Sequence, residues 1–577
     1  MDIVHRFRAC TLLLAGALVP CSLASAASAP ADLVVVDASI ATMVPGAPRV
    51  SALAVRGDRI VAMGTDAEIR ALAGPATRML DVDGRLVTPG FIEGHGHFMS
   101  LGETLGLLDL RAVGSWDDIV AKVRAAATAA KPGEWIRGAG WHQEKWSSLP
   151  AGAVDGVPTH DSLTAAAPRN PVMLEHASGH GVVVNAAALA AAGIDDRTPD
   201  PAGGRIVRDG QGHATGWLVD NAMSLAQAAL ARDRESMSPE ARRAERVAQV
   251  RRAGADAIAK GVTTFHDAGT PFADIDLYRE LAGRGELPLR LYVMVGGESN
   301  ASMASQLARY RTIGYAGNFL TVRAIKRMAD GALGSRSALL LEPYSDDPGN
   351  TGLRVDTLET IAGTGELALA HGYQLNTHAI GDRANRDILD LYARVWRGVD
   401  QPQALRWRIE HAQHLHPADV PRFGRMGVIA AMQGVHATSD GPWVPKRLGE
   451  PRAGERTYVW RALWDAGAVI ANGTDTPVED VDPLASYRAT VTRRLADGST
   501  FHPEQRLTRE EALATYTRNN AYAAFEEGEK GTLEPGKLAD FVVLSHDILQ
   551  VPEQELAATK VLYTVLGGRI VHAAPAQ

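Results

Sequence analysis

The 577-residue chain is predicted to be an α/β protein: a TIM-like (β/α)8 barrel, a small composite β-sandwich built from both termini, and an insertion after the first barrel strand. Three observations predict this. Eight apolar, strand-like runs alternate with helical stretches, β-rich segments stand at both ends of the chain, and histidine, lysine and acidic residues gather where the runs stop. Strands that alternate with helices pair in parallel, and eight such units close into a barrel that carries its chemistry at the C-terminal ends of the strands.

The N-terminus reads as an address. Arg6 and Arg8 precede an apolar stretch from Cys10 to Leu23, and Ala24-Ser25-Ala26 has the small-x-small pattern of a cleavage site. Residues 1–26 are therefore expected to be a signal peptide and the mature protein to be periplasmic or secreted, with an uncleaved anchor as the alternative. The stretch is short for a membrane span, and no later run of 18 apolar residues follows, so no stable span is expected after processing. Leu18-Val19-Pro20-Cys21 faintly resembles a lipoprotein box, but the proline argues against it. Both cysteines, Cys10 and Cys21, lie in this segment, which leaves the mature chain without a disulfide or a thiolate ligand.

The sandwich is assigned to residues 30–86 and 524–577. Leu33–Val36 and Leu53–Met63 are β-rich, with Arg56-Gly57-Asp58-Arg59 as a hairpin turn, and Ala539–Leu544 and Gly567–Val571 repeat the look near the other end. Each half is too small to bury a core alone. The barrel is assigned to residues 87–523. Its runs are Val87–Ile92, Val262–His266, Leu289–Val295, Val322–Met328, Tyr373–Thr377, Arg406–Glu410, Val428–Met432 and Val469–Gly473. About 170 residues separate the first run from the second, far more than an ordinary connection, so an inserted subdomain is placed at about residues 100–253. Its Ala-rich parts, Ala121–Ala130 and Ala186–Ala192, read as helices.

Composition narrows the function. With 46% hydrophobic and 22% charged residues the chain is globular, not disordered. The net charge of -8 and the lack of a Lys/Arg-rich run speak against nucleic acid as a partner. No Gly-x-Ser-x-Gly elbow appears, and Gly138-Ala139-Gly140 lacks the third glycine of a dinucleotide loop.

The strand ends point to a metal. His95 and His97 stand two apart, so an extended chain turns both to one face, with Gly94 and Gly96 leaving room for close approach. Lys326 lies in the fourth run between Ile325 and Met328, Thr377-His378 ends the fifth, Glu410-His411 the sixth and Thr474-Asp475 the eighth. Any one of these reads equally well as a capped strand, a buried histidine or a salt bridge. Gathered at one barrel mouth, they suit a hydrolytic metal site.

The quoted residues resemble the amidohydrolase superfamily, and within it the branch of N-substituted formamide deformylase (amidohydrolase family 3). The resemblance rests on Thr88-Pro89-Gly90-Phe91 before His95-Gly-His97, Trp135-Ile-x-Gly138-x-Gly140-Trp141, His180 with Asn185, Gly261-Val262-Thr263, Asp330-Gly331-Ala332, Thr377-His378, Ile409-Glu410-His411-Ala412-Gln413, His436-Ala437-Thr438-Ser439-Asp440, Gly473-Thr474-Asp475-Thr476-Pro477 and Gly531-x-Leu533-x-x-Gly536-Lys537-x-Ala539-Asp540. It spans nearly the whole mature chain and implies a metal-dependent hydrolase of carbon–nitrogen bonds other than peptide bonds. By resemblance, His95 and His97 bind a buried metal together with Asp475, which also serves as general base and acid. His378 and His411 hold a second ion, and Lys326 bridges the two as a carbamate formed with CO₂. One or two divalent ions are expected, Zn²⁺ foremost, with Mn²⁺, Fe²⁺ and Co²⁺ also compatible with imidazole and carboxylate ligands. An ordinary Lys326 paired with Asp330 is the alternative to the carbamate. Two residues depart from the pattern. Glu93 replaces an aspartate, which changes only the support of the ligands, and Gly434 replaces a proline, which is expected to loosen its loop.

The remaining candidates are less specific. His180 is a candidate to polarise the substrate carbonyl or to play a structural part. Trp141, with Trp135 and Trp146, either walls an apolar pocket or packs the insertion. His436 and Asp440 are candidates for substrate contact, Arg336 for gripping a substrate carboxylate or forming a surface salt bridge, and His266-Asp267 for hydrogen-bond support of the ligands. The expected partner is a small-molecule amide, with a homodimer as a candidate assembly. A metal-dependent esterase or lactonase, and a catalytically silent periplasmic binding protein, are the alternatives in function.

Overall fold

A computed structural model describes residues 29–110, 113–143, 146, 148–176, 181–201 and 203–575. The segment read as a signal peptide lies outside them, with both cysteines, and so does His180. Eight parallel strands make the barrel: β1 (Phe91–Gly96), β2 (Val262–Thr270), β3 (Arg290–Val295), β4 (Leu320–Met328), β5 (Gln374–Ala379), β6 (Arg408–His411), β7 (Ile429–Gln433) and β8 (Ile470–Gly473), with the short strand Thr312–Gly314 added antiparallel to β4. They are buried along nearly their whole length, as expected of strands covered by helices outside and by side chains within. The helices between them carry ordinary start and stop signals. Ser238 caps Pro239–Ala259, which leads into β2; Thr357 caps Leu358–His371, which leads into β5, and Gly372 ends that helix at φ 68°.

Each strand pairs with the next in chain order, which curls the sheet until β8 meets β1. The seam has no regular ladder among the described residues. Instead Asp475 N–H donates to the His95 carbonyl and His97 N–H to that of Thr476, both at 2.8 Å. The Asn520 amide donates to the Ile92 and Asn472 carbonyls and accepts from Asn472 N–H at 3.1 Å. Glycine allows this approach: a Cβ on Gly94 would stand 2.4 Å from the Asn472 oxygen, and one on Gly473 2.5 Å from the His95 nitrogen. The space left by Gly94 is thus filled by the neighbouring strand. Gly96 likewise yields to Phe265, whose ring a Cβ would meet at 2.6 Å.

The run Val87–Ile92 is two strands rather than one. Leu86–Pro89 pairs antiparallel with Phe541–Leu544 in the terminal sandwich, and the barrel strand begins only at Phe91. Pro89-Gly90 marks the break, since proline donates no ladder hydrogen bond. The sandwich has an N-terminal four-stranded sheet and a five-stranded sheet drawn from both ends of the chain. Leu33, Val55 and Val87 pack between them with Phe541, Val543 and Val565. Arg290, at the start of β3, grips Asp540 through Nε at 2.7 Å and a second nitrogen at 3.0 Å, which ties barrel to sandwich.

The insertion is more than its helices. Trp116–Ala129 and Ala186–Ala192 are helical, but they lie on a six-stranded sheet spanning Leu108–Asp109 to Ala214–Asp220. No helix among the described residues is long and apolar enough to cross a membrane.

Candidate metal centre

Three side chains at the barrel mouth present metal-ligating atoms within 4.8 Å of one another: His95, His97 and Asp475. Asp475 Oδ1 lies 3.2 Å from His97 Nε2 and 3.5 Å from His95 Nε2. It is buried and makes no hydrogen bond of ordinary geometry. The His411 ring stands 4.8 Å from that of His95 and 4.4 Å from that of His378, and Lys326 Nζ is 3.1 Å from His95 Nε2. The six residues named from the sequence therefore converge from β1, β4, β5, β6 and the turn after β8.

Three of the four imidazoles are oriented from behind. His95 Nδ1–H donates to the Glu410 carboxylate, His97 Nδ1–H to the Ala268 carbonyl at 2.8 Å, and His411 Nδ1–H to Gln433 Oε1 at 2.7 Å. These bonds leave the Nε2 lone pairs facing inward, the arrangement a cation requires. Burial, reinforced by Lys326, pushes His95 down to about 4 and His378 down to about 3. Burial, with His378 beside it, also takes His411 well below the usual imidazole range. The rings are thus neutral at neutral pH, the ligating form. Burial alone would raise Asp475, but His97, His411 and His95 hold it well below the usual carboxylate range. An ionised carboxylate whose Oδ1 lacks a partner, beside the neutral rings of His95, His378 and His411, fits a divalent cation.

Strain marks the same place. His411 at φ 74° and Asp475 at φ 58° occupy the left-handed region, at a cost of about 1–3 kcal/mol each. The hydrogen bonds around them hold that conformation, which turns both side chains into the mouth.

The sequence reading assigned no role to Glu410, Arg408 or Gln433. Arg408 and Glu410 are fully buried inside the barrel on one face of β6, joined at 2.7 Å, and Arg408 also donates to the Gly94 carbonyl at 2.7 Å and to His266 Nδ1 at 3.2 Å. Burial would raise Glu410, yet Arg408 and His95 hold it down at about 2. A buried ion pair is weak evidence for stability; here it keeps a carboxylate against His95 Nδ1. The signal in the sequence is that Arg408 and Glu410 stand two apart, so an extended strand turns both charges to one face. Glu410→Gln is expected to weaken metal binding about 10- to 100-fold, read by titration against a chelator. Unchanged affinity would remove Glu410 from the support of His95.

Other residues fall differently. Glu93 accepts from Thr474 N–H at 2.6 Å and His95 N–H at 3.3 Å, and burial pushes it up to about 8; it fastens the seam. Asp267 accepts from Phe98 N–H at 2.8 Å, next to His97, and His266 meets Arg408 rather than a ligand. Asp330 does not pair with Lys326. It accepts the N–H groups of Leu339, Ile380 and Gly381 and lies 3.5 Å from His378 Nε2. Gly434 does not loosen its loop: a Cβ there would stand 2.3 Å from Thr490 Oγ1, so glycine lets the helix after β8 pack closely.

A cavity of 640 Å³ opens over the cluster, with His97, Lys326, His378, His411, His436 and Asp475 in its wall. The buried Nε2 of His436 has no hydrogen-bond partner. Trp141 is fully buried in the insertion, stacked on Trp146 at 5.7 Å and donating to the Leu174 carbonyl at 3.0 Å, and is not in the cavity wall. Arg336 is also outside that wall, held by Asp346 at 2.9 and 3.1 Å.

Residues 78–572 match the model of the amidohydrolase family. The chain is 34% identical over 561 residues to Protein LONG AFTER FAR-RED 3 of Arabidopsis thaliana, covering 95% of this chain and 93% of the relative. It is 28% identical over 544 residues to the N-substituted formamide deformylase of Arthrobacter pascens, covering 93% and 97%. The structure of an uncharacterized metal-dependent hydrolase from Pyrococcus furiosus aligns with a TM-score of 0.72 and 26% identity, over 90% of this chain and all of that one.

Proposed function

The chain belongs to the amidohydrolase family and is a metal-dependent hydrolase of carbon–nitrogen bonds other than peptide bonds, and on that footing we propose an exported enzyme that cleaves an amide or formamide-like bond. The observation that carries the reading is the convergence of His95 Nε2, His97 Nε2 and the orphaned Asp475 Oδ1. His95, His97 and Asp475 would hold one divalent ion, and His378, His411 and Lys326 a second. Zn²⁺ suits this set of nitrogen and oxygen donors without thiolate. A cation held there supplies a polarised carbonyl and a water whose pKa falls from 15.7 to about 7.

The protein's own groups do the rest. The ionised Asp475 accepts a proton at Oδ1 and returns it to the leaving nitrogen. His436 offers its unpartnered Nε2 from the cavity wall to the substrate. Lys326 is buried at the mouth of β4, where burial lowers its pKa against the opposing pull of Glu410 and Asp475. Its neutral amine would add CO₂, forming an N–C bond and releasing one proton, and the carbamate oxygens would serve as a further anionic ligand for cations held there.

The test is hydrolysis of a panel of formamides, amides and esters, with elemental analysis of the purified protein. Amide or formamide turnover with bound metal is expected. Ester turnover alone would replace the bond assignment, and binding without any turnover would make the protein a binding protein. N-terminal sequencing from the native host addresses export, with a start near Ala27 expected; retention of residues 1–26 on a cytoplasmic protein would remove that part.

A further inference from the structure

The outer wall of the cavity differs in character from its floor. Met328, Leu333, Val355, Trp443 and Val478 line it above the polar cluster. Met328 is 41% exposed, Val355 49% and Val478 68%, so three large apolar side chains face solvent at one mouth. Their placement follows from the elements that set the ligands. Met328 lies two residues beyond Lys326 on β4, hence on the same strand face. Val355 and Asp356 dock beside it through Val355 N–H to the Ala329 carbonyl at 3.0 Å and Asp356 N–H to that of Met328 at 2.8 Å. Val478 follows Asp475 in a turn closed by Val478 N–H to the Asp475 carbonyl at 2.9 Å.

Charge is also distributed unevenly. Asp356 and Glu479 belong to the same wall. Arg327 borders the cavity from the alternate face of β4, but its guanidinium donates to Thr364 Oγ1 at 2.8 Å, the Glu298 carbonyl at 3.0 Å and Asn300 Oδ1 at 2.6 Å. The cation is committed outside the barrel, while Glu479 and Asp356, whose Oδ2 accepts the Met328 N–H at 3.0 Å, keep their carboxylates at the mouth.

We infer that the wall formed by Met328, Leu333, Val355, Trp443 and Val478 seats an apolar nitrogen substituent of the substrate, and that Asp356 and Glu479 select an uncharged or cationic substituent over one bearing a carboxylate. This rests on the proposed cleavage of a formamide-like bond. The acyl part of a formamide is a single carbon, so the wall falls to the nitrogen side. Hydrolysis breaks the C–N bond, places the water oxygen on the formyl carbon and leaves the amine and formate. Burying the substituent removes apolar surface from water and so favours the complex, and a carboxylate set against like charges opposes it.

The experiment compares N-formyl-2-phenylethylamine with N-formylphenylalanine, which differ by one carboxylate. The first is expected to have a kcat/KM at least about tenfold higher. Asp356→Asn combined with Glu479→Gln narrows the gap. Met328→Ala combined with Val478→Ala raises KM for the first compound about tenfold at unchanged metal content. Calorimetric binding of 2-phenylethylamine and of phenylalanine to the metal-loaded protein separates this inference from the bond assignment. If neither formamide is cleaved while the amine binds more tightly than the amino acid, the bond assignment falls and the wall stands. Equal turnover of the two formamides, equal binding, tighter binding of phenylalanine or binding of neither overturns the inference.

Discussion

His95→Ala and His378→Ala are each expected to lower bound metal and take hydrolysis to background. His95 is fully buried, its ring held between Glu410 behind and Asp475 and Lys326 in front, so alanine removes an inward lone pair that nothing nearby replaces. His378 presents a buried Nε2 with no hydrogen-bond partner, beside the His411 ring. Removing either also leaves a cavity beside unpaired polar groups, a destabilising change in its own right. Elemental analysis beside activity, with the melting temperature as a control, tests this. Wild-type metal content in both folded variants would take these residues out of the ligand set.

Lys326→Ala should be nearly as severe, and it differs in being repairable. If the lysine contributes a carbamate, the variant lacks an anionic bridge rather than a ring or a fold, and a small carboxylate added from solution occupies the vacated space. Activity is expected to fall toward background and to return in part with millimolar-scale short-chain carboxylate. Lys326→Met, of similar length but unable to react, should lose activity without recovering it, because its side chain fills that space. Density at Lys326 ending in a bare amine, with both metals bound, would show the carbamate to be wrong. The buried position is the physical reason for the proposal. A charged ammonium there is costly because it is buried, even with His95 Nε2 accepting a hydrogen bond from it at 3.1 Å, whereas a carbamate would supply the negative charge that cations held there require.

Much of this architecture was legible along the chain because burial leaves a simple record. The eight barrel strands are short apolar runs flanked by turn and cap residues, and the structure has a strand at each. The family resemblance was legible for a related reason. Its residues cluster at strand ends, and the family model spans residues 78–572. Less legible was the division at Pro89-Gly90, where one apolar run serves two sheets, because hydrophobicity does not say which partner a strand will take.

By itself the sequence determined the barrel, the sandwich contributed by both ends, the long insertion and the residue types that a metal site needs. Only the tertiary structure decided which groups meet. Glu410 is revealed as the support of His95 because β1 and β6 face each other inside the barrel, and Gln433 as that of His411 because β7 lies beside β6, at spacings no local periodicity encodes. Trp141 and Arg336 each left two readings open in the sequence, and their surroundings decide for packing of the insertion and for a salt bridge to Asp346. The apolar wall over the mouth was equally hidden. Met328, Val355 and Val478 are ordinary residues in the chain, and they acquire a common direction only when β4, its following loop and the turn after β8 close around one cavity.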